Sequence, residues 1–177
     1  MKVHLCCGDV YLKGYVNVDA VGSKPPKGLK GTTVEKYYKG KKVGGATTVY
    51  ADMIFDFNKE WAFPKESVSE FLMISSFEHF TEKQASALVS RIFMSLKKGG
   101  KFRFDFPDIF RTINNYDYGD KEIIRLIYGS YKNDYCVHRW GYTTETIKDL
   151  LGNKWSSISY GDIVEHDYPM TGVVAVK

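Results

Sequence analysis

Residues 4–20 read HLCCGDVYLKGYVNVDA. A short apolar run leads to a single glycine, Gly8, and a second short run ends on a carboxylate, Asp19, eleven residues later. Short β-branched or apolar runs closed by polar punctuation are strand signals. In open α/β sheets, ligands sit beyond the carboxyl ends of the strands, so the tips of these two strands are the place to look for a site. A dinucleotide would need G-x-G-x-x-G, whose amides wrap a pyrophosphate. One glycine argues against that cradle but still lets a neutral or zwitterionic ligand approach the backbone. A carboxylate at the second strand tip can accept hydrogen bonds from both ribose hydroxyls, and charged acceptors make such bonds about twice as strong as neutral ones.

Only six residues, Asp9 to Gly14, join the two runs. Returning along a five-residue strand takes about 16 Å, and six residues stretch to about 20 Å. A crossover helix, rising only ~1.5 Å per residue, does not fit. The connector is expected to run back as an extended or one-turn link, with loop amides and Lys13 facing the ligand in place of a helix N-terminus.

Working outward, strands are expected over residues 2–7, 15–19, 47–50 (closing at Asp52), 71–74, 101–106, 156–160 and 172–176. Residues 71–74 are continuously apolar, as in a strand buried on both faces. Phe102, Phe104 and Phe106 alternate, placing three rings on one side of the pleat. Thr81 with Gln84 reads as a capping box. Ala85, Leu88, Val89, Ile92, Phe93 and Leu96 follow at helical spacing, and Lys97, Lys98 and Gly99 read as the helix end. Shorter helices are expected over 120–129, with Ile123, Ile124 and Ile127 inward, and over 143–152, with Ile147, Leu150 and Leu151 inward. Alternation of strands and helices implies an α/β, Rossmann-like, doubly wound and mostly parallel sheet in a three-layer α/β/α sandwich. The last two strands lack an intervening helix, so an antiparallel C-terminal strand is expected.

At 177 residues, 44% hydrophobic and 26% charged, the chain reads as one domain, residues 1–177, of an ordinary globular protein. No apolar run approaches the ~20 residues of a membrane span, and no signal peptide is visible, so a cytoplasmic protein without a membrane partner is expected. The three cysteines make no C-x-x-C pair, and adjacent Cys6 and Cys7 should point to opposite faces, which implies reduced thiols. The net charge of +4 is concentrated in a Lys- and Gly-rich insertion, residues 21–46. Its lysines suit a solvated loop, or an arm meeting an anionic partner such as nucleic acid.

Asp19, with Ala20 beside it, therefore reads as the ribose end of a nucleoside site, Asp52 with Met53 as the adenine end, and Ser75 as the tip of the fourth strand. Together these describe adenosine without a diphosphate. LCCGDVYLKGYVNVDA resembles the first two motifs of the small, type 11-like class I S-adenosylmethionine-dependent methyltransferases. Residues 67–108 resemble the same family's fourth and fifth motifs, in which a strand runs into E-H, a helix, K-x-G-G and a strand ending in P-D. VHRWGYTTETIKDLL, residues 137–151, is similar to its H-x-x-G-[YF]-[TS] lead-in to a late helix. The resemblance spans most of the chain outside residues 21–46. It implies S-adenosylmethionine as cofactor, with the methionine portion near Cys6, Cys7, Gly8 and Asp9, the ribose on Asp19, the adenine near Asp52 and Met53, and the sulfonium near Ser75. Cys6 stands where the family usually has its first glycine, and Ser69 where it often has aspartate.

Methyl transfer is an in-line displacement whose main demand is positioning. A base is needed for poorly acidic hydroxyls or protonated amines, and His79 and His138 are the histidines expected near the cleft rim. His4 and His166 are expected to be structural or exposed. Asp105 and Asp108 either touch the acceptor or cap a turn, and the tyrosines of residues 116–142 either line an acceptor pocket or pack on the sheet. Glu78, His79 and His138 are too scattered in sequence to predict a metal site. The reading is a methyltransferase acting on a small-molecule or glycan-type acceptor. Two alternatives stand: a non-catalytic nucleoside-binding module whose basic loop contacts nucleic acid, and an NAD(P)-dependent short-chain reductase using Tyr128 and Lys132 of YGSYK.

Overall fold

Across the middle of the sheet, Val16, Val3, Phe71, Phe102, Ala175 and Ile158 pair in one continuous row. The adjacent row runs Asn17, His4, Leu72, Arg103 and Val174. Because side chains alternate, the first row and its neighbours Leu5, Met73 and Phe104 face one apolar core, while the second row carries polar groups to the other face. A one-residue slip in any strand would exchange the two faces, so this pattern sets the register.

The computed structural model describes residues 1–38, 48–117, 119–130 and 134–177. Its strands are β1 (Lys2–Leu5), β2 (Val16–Asp19), β3 (Met53–Ile54), β4 (Val68–Met73), β5 (Leu96–Pro107), β6 (Ser157–Tyr160) and β7 (Met170–Val176). They form a seven-stranded sheet in the order β3-β2-β1-β4-β5-β7-β6. Neighbours from β3 to β5 are parallel, and β7 runs antiparallel between β5 and β6, the expected mixed α/β sheet. Helices are α1 (Glu82–Ser95), α2 (Ile109–Asn115), α3 (Lys121–Tyr128) and α4 (Thr144–Leu151). The capping box of Thr81 and Gln84 is formed, and α1 turns Ala85, Leu88, Val89 and Ile92 onto the apolar face beside Ile147 and Leu151 of α4. Each such side chain contributes about 1.5–3 kcal/mol on burial. Among the described residues, no helix is long and apolar enough to cross a membrane.

The opposite face is sealed by chain rather than by long helices. The connector after β1 contains no helix. It is held by Asn17, whose Oδ1 accepts from Leu12 N–H (2.8 Å) and whose Nδ2 donates to the carbonyls of Leu12 (3.0 Å) and Tyr15 (3.2 Å). His4, fully buried, donates from Nδ1 to the same Oδ1 (3.1 Å) and accepts from the Tyr37 hydroxyl at Nε2 (2.9 Å). Residues 29–38, including a 3-10 turn at Val34–Lys36, lie against this connector through paired amides of Lys13 and Thr32. Gly31 sits so close that a Cβ would meet Lys13 N at 2.7 Å, so no other residue fits there without displacing the backbone.

Several sequence expectations are corrected. The third strand is Met53–Ile54, not 47–50: Asp52 N–H donates to Asn17 O (2.7 Å) and Phe55 N–H to Asp19 O (3.0 Å), which aligns Met53 with Val18. Tyr50 instead bridges Ser23, and residue 47 lies outside the described residues. Helix α1 stops at Ser95, because the amides of Glu66 and Ser67 capture the Met94 and Ser95 carbonyls, so Lys97 and Lys98 belong to β5. In α3, Leu126 is buried and Ile124 is 59% exposed, since Ile124 lies about 100° around the helix from Ile123. The insertion is only partly a loop: Tyr37 is core, whereas residues 39–46 lie outside the described residues. Helix α2 had no counterpart in the sequence pattern.

Asn17→Ala leaves several buried backbone groups unpaired, at 1–3 kcal/mol each, and is expected to cost about 3 kcal/mol in a urea unfolding curve. A loss below about 1 kcal/mol would show that the connector does not depend on this amide. Glu70 offers a pH readout. Burial opposes its ionisation, but bonds from Tyr15 O–H (2.6 Å) and Arg103 (3.0 Å) outweigh it and hold the carboxyl below its ordinary value. A depressed carboxyl stabilises the fold above its unfolded pKa and loses that contribution as pH falls through its folded pKa. Wild type is therefore expected to lose stability more steeply than Glu70→Gln below pH ~4.

Candidate cofactor and acceptor site

Leaving β1, the chain turns through Cys6 (φ 51°) and Gly8 (φ 53°), and leaving β4 it turns through Ser75 (φ 47°). For an L-residue such as cysteine or serine, the left-handed conformation costs about 1–2 kcal/mol, and strain of this kind persists only where surrounding structure dictates it. Both strained turns lie at the carboxyl ends of the adjacent central strands. The backbone at Cys6 thus has a conformation that favours glycine.

The β1 turn bends onto the tip of β2. Gly8 N–H donates to Asp19 Oδ2 (2.8 Å), and Val21 N–H donates to Oδ1 (3.2 Å). Burial raises the Asp19 carboxyl above its ordinary value, against the opposing Gly8, Val21 and Ala20 amides. A carboxylate has about four acceptor directions, so with the Gly8, Val21 and Ala20 amides drawn to it Asp19 keeps room for a ribose hydroxyl. Burial, with Asp19 next in weight, pushes the Cys6 thiol well up and the Cys7 thiol up to about 12. Neither is a thiolate at neutral pH, so these sulfurs are packing and not nucleophilic groups. Asp9 and Lys13 are exposed, while Ala20 and Met53 are half-buried.

Asp52 does not stand at the end of the third strand, as expected, but at its entrance. Its carboxylate accepts from Tyr11 O–H (2.7 Å) and Asn17 N–H (2.8 Å), facing back along the sheet. The acid just past β3 is Asp56, near enough to contribute to raising the Cys6 thiol. Sequence reasoning missed Asp56 because the strand had been placed too early.

At the tip of β4, Ser75 N–H donates to Asp105 Oδ1 (2.6 Å), and the Ser75 hydroxyl bonds to those of Tyr38 (2.9 Å) and Tyr168 (3.3 Å). Asp105 is further tied to His166 Nε2 (2.9 Å), while Asp108 caps α2 through the amides of Phe110 and Arg111. Both acids of the D-F-P-D run, residues 105–108, are therefore committed within the fold. Tyr142 is buried against Phe77 and Phe106, and Tyr128 and Tyr135 are half exposed. Lys132, the partner Tyr128 would need for reductase chemistry, lies outside the described residues, as do Tyr118 and Tyr131.

Beyond Ser76 a 3-10 turn, Phe77–His79, brings Glu78 and His79 against the 137–140 segment, where the amides of Arg139 (2.8 Å) and Trp140 (3.4 Å) reach the Glu78 carbonyl. His79 Nδ1 bonds to Val137 O (3.0 Å) and His138 Nδ1 to Leu126 O (2.9 Å), and the two rings meet edge-on with centroids 5.0 Å apart. Burial, then the neighbouring His79, brings His138 down to about 4, and burial also lowers His79, so both imidazoles are neutral at pH 7. Burial raises Glu78 to about 8. Sequence separation had made these three residues look unrelated, yet their ligand atoms lie within 4.8 Å of one another. No local motif signals this meeting, which depends on the 137–140 segment returning to β4. Next to it, Trp140, Glu82, Thr146 and Asp149 line a surface hollow of about 210 Å³. A second hollow, of about 280 Å³, lies between Phe57, Asn58 and the start of α1.

Solved structures share this fold. A Methanosarcina mazei S-adenosylmethionine-dependent methyltransferase superposes with a TM-score of 0.54 at 12% identity, over 99% of this chain and 91% of its own. The fold is that of the class I S-adenosylmethionine-dependent methyltransferases. A Mesorhizobium loti S-adenosylmethionine-dependent methyltransferase matches equally well (TM-score 0.54, 13% identity, 99% and 90% covered). Human N-acetylserotonin methyltransferase, in complex with S-adenosylmethionine, gives 0.52 at 13% identity over 99% of this chain and 47% of its own. Two further neighbours, from Nostoc punctiforme and Bordetella parapertussis, are longer, and this chain spans 36% and 61% of them. No protein-family model and no curated protein matches the sequence.

The strain at Cys6 is testable by substitution. Cys6→Val, a β-branched residue at φ 51°, is expected to lower stability by about 2 kcal/mol in chemical denaturation. Cys6→Gly is expected to stay within about 1 kcal/mol of wild type, because relief of strain offsets glycine's added chain entropy. Equal losses for the two variants would place the cost in packing and not in the backbone.

Proposed function

We propose that this chain binds S-adenosylmethionine across the tips of β1 to β3 and transfers its methyl group to a small-molecule or glycan-type acceptor. The observation that carries this reading is the half-buried Asp19 carboxylate, which positions the Gly8 turn and keeps acceptor capacity for a ribose hydroxyl. Cys6, Cys7, Gly8 and Asp9 would border the methionine portion, Asp19 and Ala20 the ribose, and Ser75 the sulfonium side. For the adenine, Met53 with Asp56, just beyond the end of β3, is better placed than Asp52, which stands at the strand's entrance with its carboxylate bonded to Tyr11 and Asn17.

In the transfer, an acceptor lone pair attacks the methyl carbon while the C–S bond breaks. The electron pair stays on sulfur, which leaves as the neutral thioether of S-adenosylhomocysteine. The acceptor's proton must then go to a base or be lost beforehand. His79 and His138, neutral and close to the end of β4, are the candidate groups on that side. The Trp140 hollow supports a glycan-type acceptor, since a sugar ring suits an aromatic face edged by hydroxyl and carboxyl groups.

The test is a thermal-shift titration with S-adenosylhomocysteine. At 100 times its dissociation constant the ligand stabilises by ~2.7 kcal/mol, and Asp19→Ala is expected to abolish the shift while circular dichroism remains native. An unchanged shift in Asp19→Ala removes the ribose assignment. A shift with NADH in place of S-adenosylhomocysteine would favour the reductase reading.

A further inference from the structure

The cluster of Glu78, His79 and His138 has a geometry that its hydrogen bonds do not explain. Glu78 is 4% exposed, and its Oε2 is buried with no hydrogen-bond partner. A carboxyl oxygen in that state costs about 1–3 kcal/mol or more. Its other oxygen lies 3.8 Å from His138 Nε2, too far for a hydrogen bond. Both imidazoles are fastened through Nδ1 to main-chain carbonyls, which sets their tautomers and leaves each Nε2 as the atom to offer. A carbonyl behind each ring is the usual support of a metal-binding histidine.

We propose that Glu78, His79 and His138 form a binding site for a divalent transition metal, with the carboxylate and the two Nε2 atoms as ligands. Bonds of ~2.0–2.1 Å about a tetrahedral centre imply ligand separations of about 3.4 Å. The ligand atoms here, within 4.8 Å of one another, need to close by little more than 1 Å, which side-chain rotation supplies. Two imidazoles and one carboxylate suit Zn²⁺, and three protein ligands leave an open position, the mark of a catalytic and not a purely structural site. The buried, unpartnered Oε2 is then explained, because coordination supplies the Glu78 carboxylate with the partner that no hydrogen bond gives it. An acceptor hydroxyl would be the natural occupant of the open position, where a bound metal would lower its pKa so that its proton passes to solvent, the two histidines then serving as ligands in place of the base role considered above. That last clause rests on the methyltransferase reading. Metal binding does not.

The experiment uses the full chain stripped of metal by chelation and titrated with Co²⁺ and then Zn²⁺, with no S-adenosylhomocysteine present. One Co²⁺ per chain with visible ligand-field bands, displaced by Zn²⁺, is the expected result. His79→Asn and His138→Asn should each weaken Zn²⁺ binding beyond the ~10–100-fold that loss of a residue behind a ligand costs. Circular dichroism and the S-adenosylhomocysteine thermal shift report whether each variant is folded. Absence of a stoichiometric Co²⁺ spectrum in the wild type overturns the proposal, as does unchanged Zn²⁺ affinity in both folded variants. Stoichiometric Co²⁺ binding in a wild type that ignores S-adenosylhomocysteine would sustain the metal site while removing the methyltransferase reading, so the two failures are separate.

Discussion

The connector between β1 and β2 must bring the chain back along a parallel strand with no helix to do it. Extended chain cannot satisfy its own amides as a helix does, and it cannot cover a sheet face with an apolar stripe. The first deficit is met by one buried residue of the neighbouring strand. Asn17 supplies the acceptor and donors that Leu12 and Tyr15 lack, and shares its oxygen with His4. Once the sheet's second face carries an amide, an imidazole, Glu70 and Arg103, the covering layer must be polar enough to pair with them. Tyr37 and Tyr15 provide that, an apolar ring ending in a hydroxyl. The shortness of one loop thus propagates into the composition of a whole face.

The same shortness shapes the site. With no long helix beginning after Gly8, the dipole and amides of a helix N-terminus are unavailable to a ligand's negative group. The turn is instead positioned by the Asp19 carboxylate, and its geometry is steep enough to hold Cys6 in a conformation that glycine adopts without cost. Burial then separates the ionisable groups by their partners. Asp105 is buried with a bond on each oxygen, from Ser75 and His166, whereas Glu78, also buried, has an oxygen with none. Two buried carboxyls, one near the end of β5 and one beyond the end of β4, therefore differ in kind: one braces the fold, the other is poised for a cation.

Much of the architecture was readable in the chain. Alternating phenylalanines from 102 to 106, the Thr81 and Gln84 cap and the six-residue connector each obey local rules, a pleat of period two, a reciprocal pair of hydrogen bonds, and the reach of extended backbone. Those rules act over a few residues, so the sequence is sufficient for them. The order of motifs along the chain likewise pointed to the methyltransferase fold.

Where distant segments compete for the same backbone groups, local reading failed. Residues 47–50 look like a better strand than Met53–Ile54, yet the amides of Asp52 and Phe55 met the β2 carbonyls first, and this moved the acid at the strand tip from Asp52 to Asp56. Helix α1 ended early because Glu66 and Ser67, just ahead of β4, captured its last carbonyls. By itself, then, the sequence determined the sheet, the caps, the lack of a diphosphate cradle and the carboxylate at position 19. Only the tertiary structure decided that Glu78, His79 and His138 meet, because their approach is set by a segment some sixty residues away, and sequence periodicity carries no information across such a distance.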